Sequence, residues 1–514
     1  MVSIASYRGP GMAGGVSTAL STLWRLVGDK AENWYFVCSK TDSIKRSQAN
    51  GKSFAESFLN PELVKDHYRY CNDFIWPVMH DLPEHATYRQ FDRERYCQFN
   101  SQFARVIEEN RRRVDSSCFI QDYQLALTSK NFGGPKQIFW HIPWPKNVEP
   151  QYVEPIMEIA SGLLNCDSVG FHTREYADNF VAFVNKYFPG FSSSTFRRER
   201  VNPLRTVSNS GSNADEASNE IHRGRVRAIV YNSYSFKLTR VVVAPLGLDL
   251  DYWKENRESS RLIDHKLHDM GLASDSYILS VDRADYTKGV YQRMAAIDHF
   301  LEKYPQHRGD VKFVQICGKT RSGLGAFETY WDKSRNLADS VNERWGDGNW
   351  QPIHWIDTPM NTKMLAGCYR NAKAMLVNPV RDGLNLTAKE FIACQAENPG
   401  VLALSPGAGA WHEIGEWAVE ASPESSDSLA DAIHESLSLS HSERSSRADA
   451  IMQRLEENTL HDWCNFFSGQ IGSKSTSPQA QTVARSSLAR RYAKYANRRL
   501  SLNSQATDSI SMSK

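Results

Sequence analysis

Short apolar runs alternate with helix-period patterns along almost the whole chain, and this alternation constrains the fold more than any other feature. The runs Val2–Ser6, Trp34–Cys38, Cys118–Gln121, Gln137–His141, Ser168–Phe171 and Val241–Ala244 read as strands in the first half. Tyr277–Val281, Val311–Ile316, Ile353–Ile356, Ala374–Val377, Val401–Leu404 and Ala418–Glu420 follow in the second. Helical patterns such as Arg293–Lys303 and Ser428–Leu437 lie between most of them. Such alternation argues for parallel sheets covered by helices on both faces. At 514 residues the chain is too long for one core. The expected fold class is therefore α/β, with two doubly wound domains facing each other across a cleft at the carboxyl ends of their strands.

The first domain is expected over 1–250, with a Ser/Asn/Arg-rich surface insertion at Ser192–Ser235. The second covers 251–471, its last helices able to cross back, with a soft boundary near Leu248–Asp264. A basic polar tail, 472–514, is expected to be disordered; Arg490, Arg491, Lys494, Arg498 and Arg499 interleave there with Leu488, Tyr492 and Tyr495. A frayed extension is the plain reading of that tail, and contact with a membrane or a partner is the alternative.

Composition excludes more than it proposes. A net charge of +2 gives no argument for nucleic acid or a membrane surface. Nine scattered cysteines without a C-x-x-C pair disfavour a zinc site or a disulfide framework and fit a reducing cytoplasm. The first strand begins at once, which leaves no room for a signal peptide, and no apolar run reaches membrane-spanning length. A cytoplasmic protein without a membrane span is expected.

The chemistry concentrates at strand ends. Ala374–Val377 runs into Asp382-Gly383, after which Leu384, Ala388, Phe391 and Ile392 recur at helical spacing. A strand, a glycine turn and a helix N-terminus make a ready anion site, and Glu390 is placed to accept hydrogen bonds from sugar hydroxyls. An ordinary βα loop is the plainer reading of Asp-Gly alone. Val281–Gly289 also leaves a strand, and it carries Arg283 and Lys288 five residues apart, suited to a diphosphate whose charge grows as its bond to sugar breaks. Gly14-Gly15 after the first strand would let backbone N–H groups approach a phosphate. No dinucleotide or P-loop glycine pattern follows that strand. Asp122 and His141 sit at strand ends within reach of sugar hydroxyls, or serve as satisfied structural groups. Arg321 with Arg8 could clamp a second phosphate, a structural ion pair being the rival. Asp249-Leu250-Asp251 superficially offers a metal-binding carboxylate pair but lies in a linker without nearby cations.

Taken together, these segments resemble the trehalose-6-phosphate synthase family, retaining glycosyltransferases of GT-B fold with two facing Rossmann-like domains. The resemblance runs from Val2 to about Gly469 and is strongest at Val281–Gly289, Arg381–Glu390, His141–Pro145 and Asn398–Leu402. It implies transfer of glucose from UDP-glucose or GDP-glucose to glucose 6-phosphate, giving α,α-trehalose 6-phosphate without metal or cofactor. It implies donor contacts at Gly14, Gly15, Arg283, Lys288, Leu365, Asp382, Gly383, Leu384, Asn385, Leu386, Thr387, Ala388, Lys389 and Glu390. Arg283 and Lys288 would hold the diphosphate, Glu390 the ribose, and His141 with Asp382 the transferred glucose. Arg8, Trp76, Asp122 and Arg321 would bind the acceptor, so that Arg283, Lys288, Asp122 and His141 form the catalytic set. In this family the leaving phosphate is thought to assist attack from its own face. Small-molecule substrates are the implied partners, with a homo-oligomer left open.

The chain departs from the family mainly on the acceptor side. Gln121 and Gln124 flank Asp122 where two histidines are usual, His67 stands where a tyrosine is expected, and Trp144 replaces a phenylalanine. Another phosphorylated acceptor, glycerol 3-phosphate or a cyclitol phosphate, therefore stays open. A catalytically silent regulatory subunit is the rival of another class, though such a protein would be expected to lose the diphosphate cations that this chain keeps.

Overall fold

Every residue of Val2–Ser6 (β1) is buried, as a central strand covered on both faces requires. The computed structural model describes residues 1–10, 15–38, 45–49, 52–195, 225–272 and 277–472. Around β1 lie Ala31–Cys38 (β2), Lys45–Ala49 (β3), Lys52–Phe58 (β4), Ser117–Gln121 (β5), Lys136–Trp140 (β6), Ser168–Phe171 (β7), Phe191–Thr195 (β8), Val226–Asn232 (β9) and Lys237–Val243 (β10). They form one sheet in the order β3-β4-β2-β1-β5-β6-β7-β10-β9-β8. From β4 to β10 the pairing is parallel, while β3, β9 and β8 add on antiparallel.

The second sheet contains Tyr277–Arg283 (β11), Lys312–Gly318 (β12), Ile353–Ile356 (β13), Ala374–Val377 (β14), Val401–Leu404 (β15) and Val419–Glu420 (β16). Its order is β13-β12-β11-β14-β15-β16, parallel throughout. Both sheets thus reverse strand order beside their first strand, between β1 and β5 and between β11 and β14. Loops leaving a reversal diverge to opposite faces and open a crevice where ligands bind. The fold is the two-domain Rossmann-like arrangement expected.

Each expected strand overlaps an observed one, and the differences fall at the sheet margins. Ser192–Ser235 is not simply a surface insertion: β8 and β9 occupy its ends and extend the first sheet, while 196–224 lies outside the described residues. The alternating burial of β9 suits an antiparallel strand with one face covered, a signal weaker than the continuous apolar runs of the parallel strands. β3 and β4 also went unread. Near the expected boundary, the helix Leu250–Ser260 is capped by Asp249, which accepts from Tyr252 N at 3.1 Å. Capping accounts for that carboxylate without a metal. The basic tail from 473 onward lies outside the described residues.

The helix Leu460–Gly472 packs on the first sheet. Trp463 and Phe467 meet Phe119 and Phe139 at ring separations of 4.9–6.1 Å. Other direct bonds join the halves: Tyr176 donates to the Asp382 carbonyl (2.9 Å), Lys389 to that of Leu246 (3.0 Å), and Arg381 to Glu175 (2.5 Å). Among the described residues, no helix is long and apolar enough to cross a membrane.

Candidate active site

The second-sheet crevice is built on one buried guanidinium. Arg293, 1% exposed in the helix Val290–Lys303, donates to Asp282 at the end of β11 (2.8 Å), Gln315 in β12 (2.7 Å) and Asn378 just past β14 (2.7 Å). Asn378 in turn donates to the Gly289 carbonyl (3.0 Å). Gly289 has φ +69°, and a Cβ there would lie 2.2 Å from Asn378 O, so glycine is required. These bonds tie together the strand ends that carry Arg283, Lys288 and Asp382.

Cations then gather above the strand ends. Arg283 is open to the cleft. Desolvation by the surrounding walls, and then the like charges of Arg321 and Arg8, push its guanidinium below its ordinary value, against the pull of Asp285. Lys288 pairs with Asp382, which also accepts from Asn385 Nδ2 (3.0 Å). Burial alone would raise Asp382, but Lys288, His80 and Asn385 hold it low. Arg321 has φ +51°, donates to Asp285 at 2.8 Å, and lies 3.9 Å over the Trp76 ring. Asp285 is a hub, accepting also from Trp76 Nε1 (3.3 Å) and from the backbone and hydroxyl of Thr287. The structural-pair reading of Arg321 is thus realised, within electrostatic reach of Arg283.

The first-sheet crevice supplies Arg8, exposed just past β1, and Asp122 past β5. Asp122 adopts φ +69°, ψ 175°, a region nearly reserved for glycine that costs about 1–3 kcal/mol. Its Oδ1 accepts from His141 N (3.1 Å), and burial pushes its carboxyl up to about 7. We expect Asp122→Gly to hold or raise the melting temperature, since glycine relieves the backbone, while turnover collapses. A thermal melt beside an activity assay checks both.

Several expected site residues lie elsewhere than the sequence suggested. The His141 ring is turned inward: Nε2 meets Gln121 Oε1 (2.9 Å) and Nδ1 meets His172 Nε2 (3.2 Å). Leu246 N donates to His172 Nδ1 (3.3 Å), so the proton of His172 is on Nε2 and His141 carries its own on Nε2. Burial holds His141 down at about 3, neutral at ordinary pH. Both ring nitrogens are engaged by protein groups, and what His141 turns toward Asp122 is its backbone N–H. Gln121 thereby fills a hydrogen-bonding place, not a vacant one. Gln124 offers its carbonyl to His67 Nε2 (2.9 Å). His67 is wholly buried, stacked on Phe99 at 3.5 Å, and is not at the cleft.

On the donor loop, Gly383 meets the first domain: a Cβ would come 2.0 Å from His141 O. A Cβ on Gly15 would lie 2.2 Å from Leu386 Cδ1. Gly14 lies outside the described residues. Asn385, at φ +73°, caps the helix Leu386–Ala393 by accepting from Ala388 N at 3.4 Å and from Thr387 Oγ1 at 2.7 Å. Part of the expected anion site is therefore satisfied by its own loop. Leu384 and Ala388 are buried in the core, and Leu365 packs partly buried against it. Lys389 is fully buried, paired with Glu413 at 2.5 Å, so its side chain is structural; interior placement at helical period decided this. Glu390 accepts from Tyr369 OH (3.0 Å).

Burial raises the Glu390 carboxyl to about 7. Between an unfolded value of about 4.3 and that point, the folded chain keeps a proton that the unfolded chain releases. The contribution is complete below the unfolded value and is lost as pH rises through about 7. Glu390→Gln should remove this part of the decline in melting temperature between pH 4.5 and 7.5, read by thermal melts across that range.

Sequence reasoning gave Asp285 no place in the site and missed His80. Asp285 lay within the quoted loop, and its place between Arg283 and Lys288 was the available signal. His80, four residues after Trp76, offered none. Among the described residues, no cluster of three His, Cys, Asp or Glu is arranged to hold a metal ion.

Comparison with known proteins agrees with this architecture. The family model of glycosyltransferase family 20 matches residues 17–472. The trehalose-6-phosphate synthase of Sinorhizobium fredii is 30% identical over 92% of this chain and 97% of its own length. The bifunctional trehalose-6-phosphate synthase/phosphatase of Thermoproteus tenax is 29% identical over 92% of this chain, which spans only 62% of that relative. Among solved structures, a UDP-forming α,α-trehalose-phosphate synthase from Burkholderia xenovorans, in complex with glucose 6-phosphate, superposes with a TM-score of 0.77 at 25% identity. The match covers 92% of this chain and all of that one.

Proposed function

Because the chain belongs to glycosyltransferase family 20, we propose that it is a retaining glucosyltransferase moving glucose from UDP-glucose or GDP-glucose to glucose 6-phosphate. The product is α,α-trehalose 6-phosphate. One observation carries this reading: the crevices of two sheets meet where Arg8, Arg283, Lys288 and Arg321 converge around buried Asp285 and Asp382. A site with that surplus of cation suits two phosphorylated substrates at once.

In the proposed reaction the bond between glucose C1 and the diphosphate oxygen breaks as a bond forms from C1 to the acceptor hydroxyl. The hydroxyl proton passes to the departing phosphate oxygen, so atoms balance without a covalent enzyme intermediate. Arg283 and Lys288 take up the charge that develops on the diphosphate, the role proposed for them in place of a metal. As glucose leaves, Lys288 exchanges part of its pairing with Asp382 for the phosphate, and Asp382 is released to accept from a glucose hydroxyl. The relatives' names support the acceptor.

A second reading keeps the donor and changes the phosphorylated acceptor. It draws on Gln121, whose side-chain oxygen is committed to the His141 ring beside Asp122. The test incubates the protein with UDP-glucose or GDP-glucose, with and without glucose 6-phosphate, in the presence of chelator. Nucleotide release that depends on glucose 6-phosphate, with an α,α-1,1 linkage by NMR, supports the first reading. Release only with another sugar or polyol phosphate supports the second.

A further inference from the structure

His80 lies at the seam of the two halves and takes no part in the reaction as drawn above. It closes the short helix Trp76–Met79, which follows a π-helical stretch, Tyr70–Ile75, a local irregularity often found at functional sites. Its ring is 1% exposed and tilts against the Trp76 indole at 4.1 Å. Nδ1 lies 2.7 Å from the Trp76 carbonyl. A carbonyl only accepts, so Nδ1 carries the proton. Burial, the largest influence, brings the ring down to about 4. The neutral imidazole therefore presents Nε2 as a lone-pair acceptor.

Among the described residues the ring's hydrogen bonding is through Nδ1 alone, and none is made at Nε2. The charged groups that face the ring are Asp285, Asp382 and Lys288. The first belongs to the network of Trp76 and Arg321, and the other two form the donor-side pair. A lone pair repels a phosphate oxygen and requires a donor. A sugar hydroxyl meets that need, and the side is assigned with the transferase reading: Trp76 carries the Arg321 guanidinium over its ring, the cation which that reading leaves for the acceptor phosphate.

Building on the transferase reading, we propose that His80 Nε2 accepts a hydrogen bond from a hydroxyl of the hexose phosphate acceptor, orienting it at the seam with the donor. So weak a base does not remove the hydroxyl proton; it fixes direction.

Two substitutions separate this contact from a structural role. His80→Asn keeps an amide donor where Nδ1 stands and so keeps the bond to the Trp76 carbonyl, but it loses the Nε2 acceptor. His80→Gln reaches the Nε2 position with an acceptor oxygen. For the Asn variant we expect kcat/KM for glucose 6-phosphate to fall roughly tenfold or more. KM for the nucleotide sugar and the melting temperature should change little, and the Gln variant should recover part of the loss. The pH profile between 5 and 8 should keep its shape, since His80 does not titrate there. Unchanged kcat/KM in the Asn variant overturns the proposal. So does an equal loss for donor and acceptor together with a lowered melting temperature. Calorimetric titration with glucose 6-phosphate keeps the two readings apart. No turnover by the wild type refutes the transferase reading, whereas equal affinity of wild type and Asn variant, or no binding by either, refutes the contact.

Discussion

Arg283→Ala is expected to lower turnover roughly 10²- to 10³-fold, the usual loss when one donor to a developing oxyanion is removed, with the fold intact. The side chain is open to the cleft, and desolvation, then the like charges of Arg321 and Arg8, disfavour its charged form, so its removal should cost the fold little. Lys288→Ala should cost turnover similarly but act differently on stability. Its ammonium pairs with buried Asp382, and without it that carboxyl rises and its depressed-pKa contribution to stability, lost on acidification, shrinks. Steady-state kinetics with a thermal melt at pH 5 and pH 8 separates the two variants. Near-wild-type rates in both would remove the diphosphate role from these cations.

The second large effect concerns stability. Arg293→Leu should destabilise the protein by about 3–5 kcal/mol, the cost of leaving a buried charge without its partner. The guanidinium satisfies Asp282, Gln315 and Asn378 together, and leucine satisfies none. Asp282 is already raised by burial, with Arg293 among the groups that oppose the rise. In the variant its carboxyl should rise further and hold a proton, so the loss should grow as pH increases through that raised value. Adding Asp282→Asn should recover part of the stability, because an amide carries no charge to bury. Denaturant unfolding of the single and double variants measures the coupling; additive losses would show that the pair does not act as a unit.

These two residues also show how differently sequence speaks about chemistry and about support. Arg283 stood out because it follows an apolar run and precedes a helix with a second cation five residues on. Arg293 lies inside an ordinary amphipathic pattern, and nothing there says that its side chain faces inward toward three strand ends. The inward turn of His141 was equally hidden. Its place at a strand end was legible, but its ring's direction depends on His172, thirty-one residues away, and on the Leu246 peptide.

What the sequence by itself determined was the repeat of strand and helix, the two parallel sheets, and the loops that bear Arg8, Asp122, Arg283, Lys288 and Asp382. These follow from periodicity and from turn residues, which act over a few neighbours and need no partner from elsewhere. What only the tertiary structure decided was which polar groups are spent on one another. Arg321 is held by Asp285, Lys389 by Glu413, and His67 by a carbonyl within an aromatic stack. A buried polar group must find a partner or pay a desolvation cost, and that partner is set by packing between distant segments.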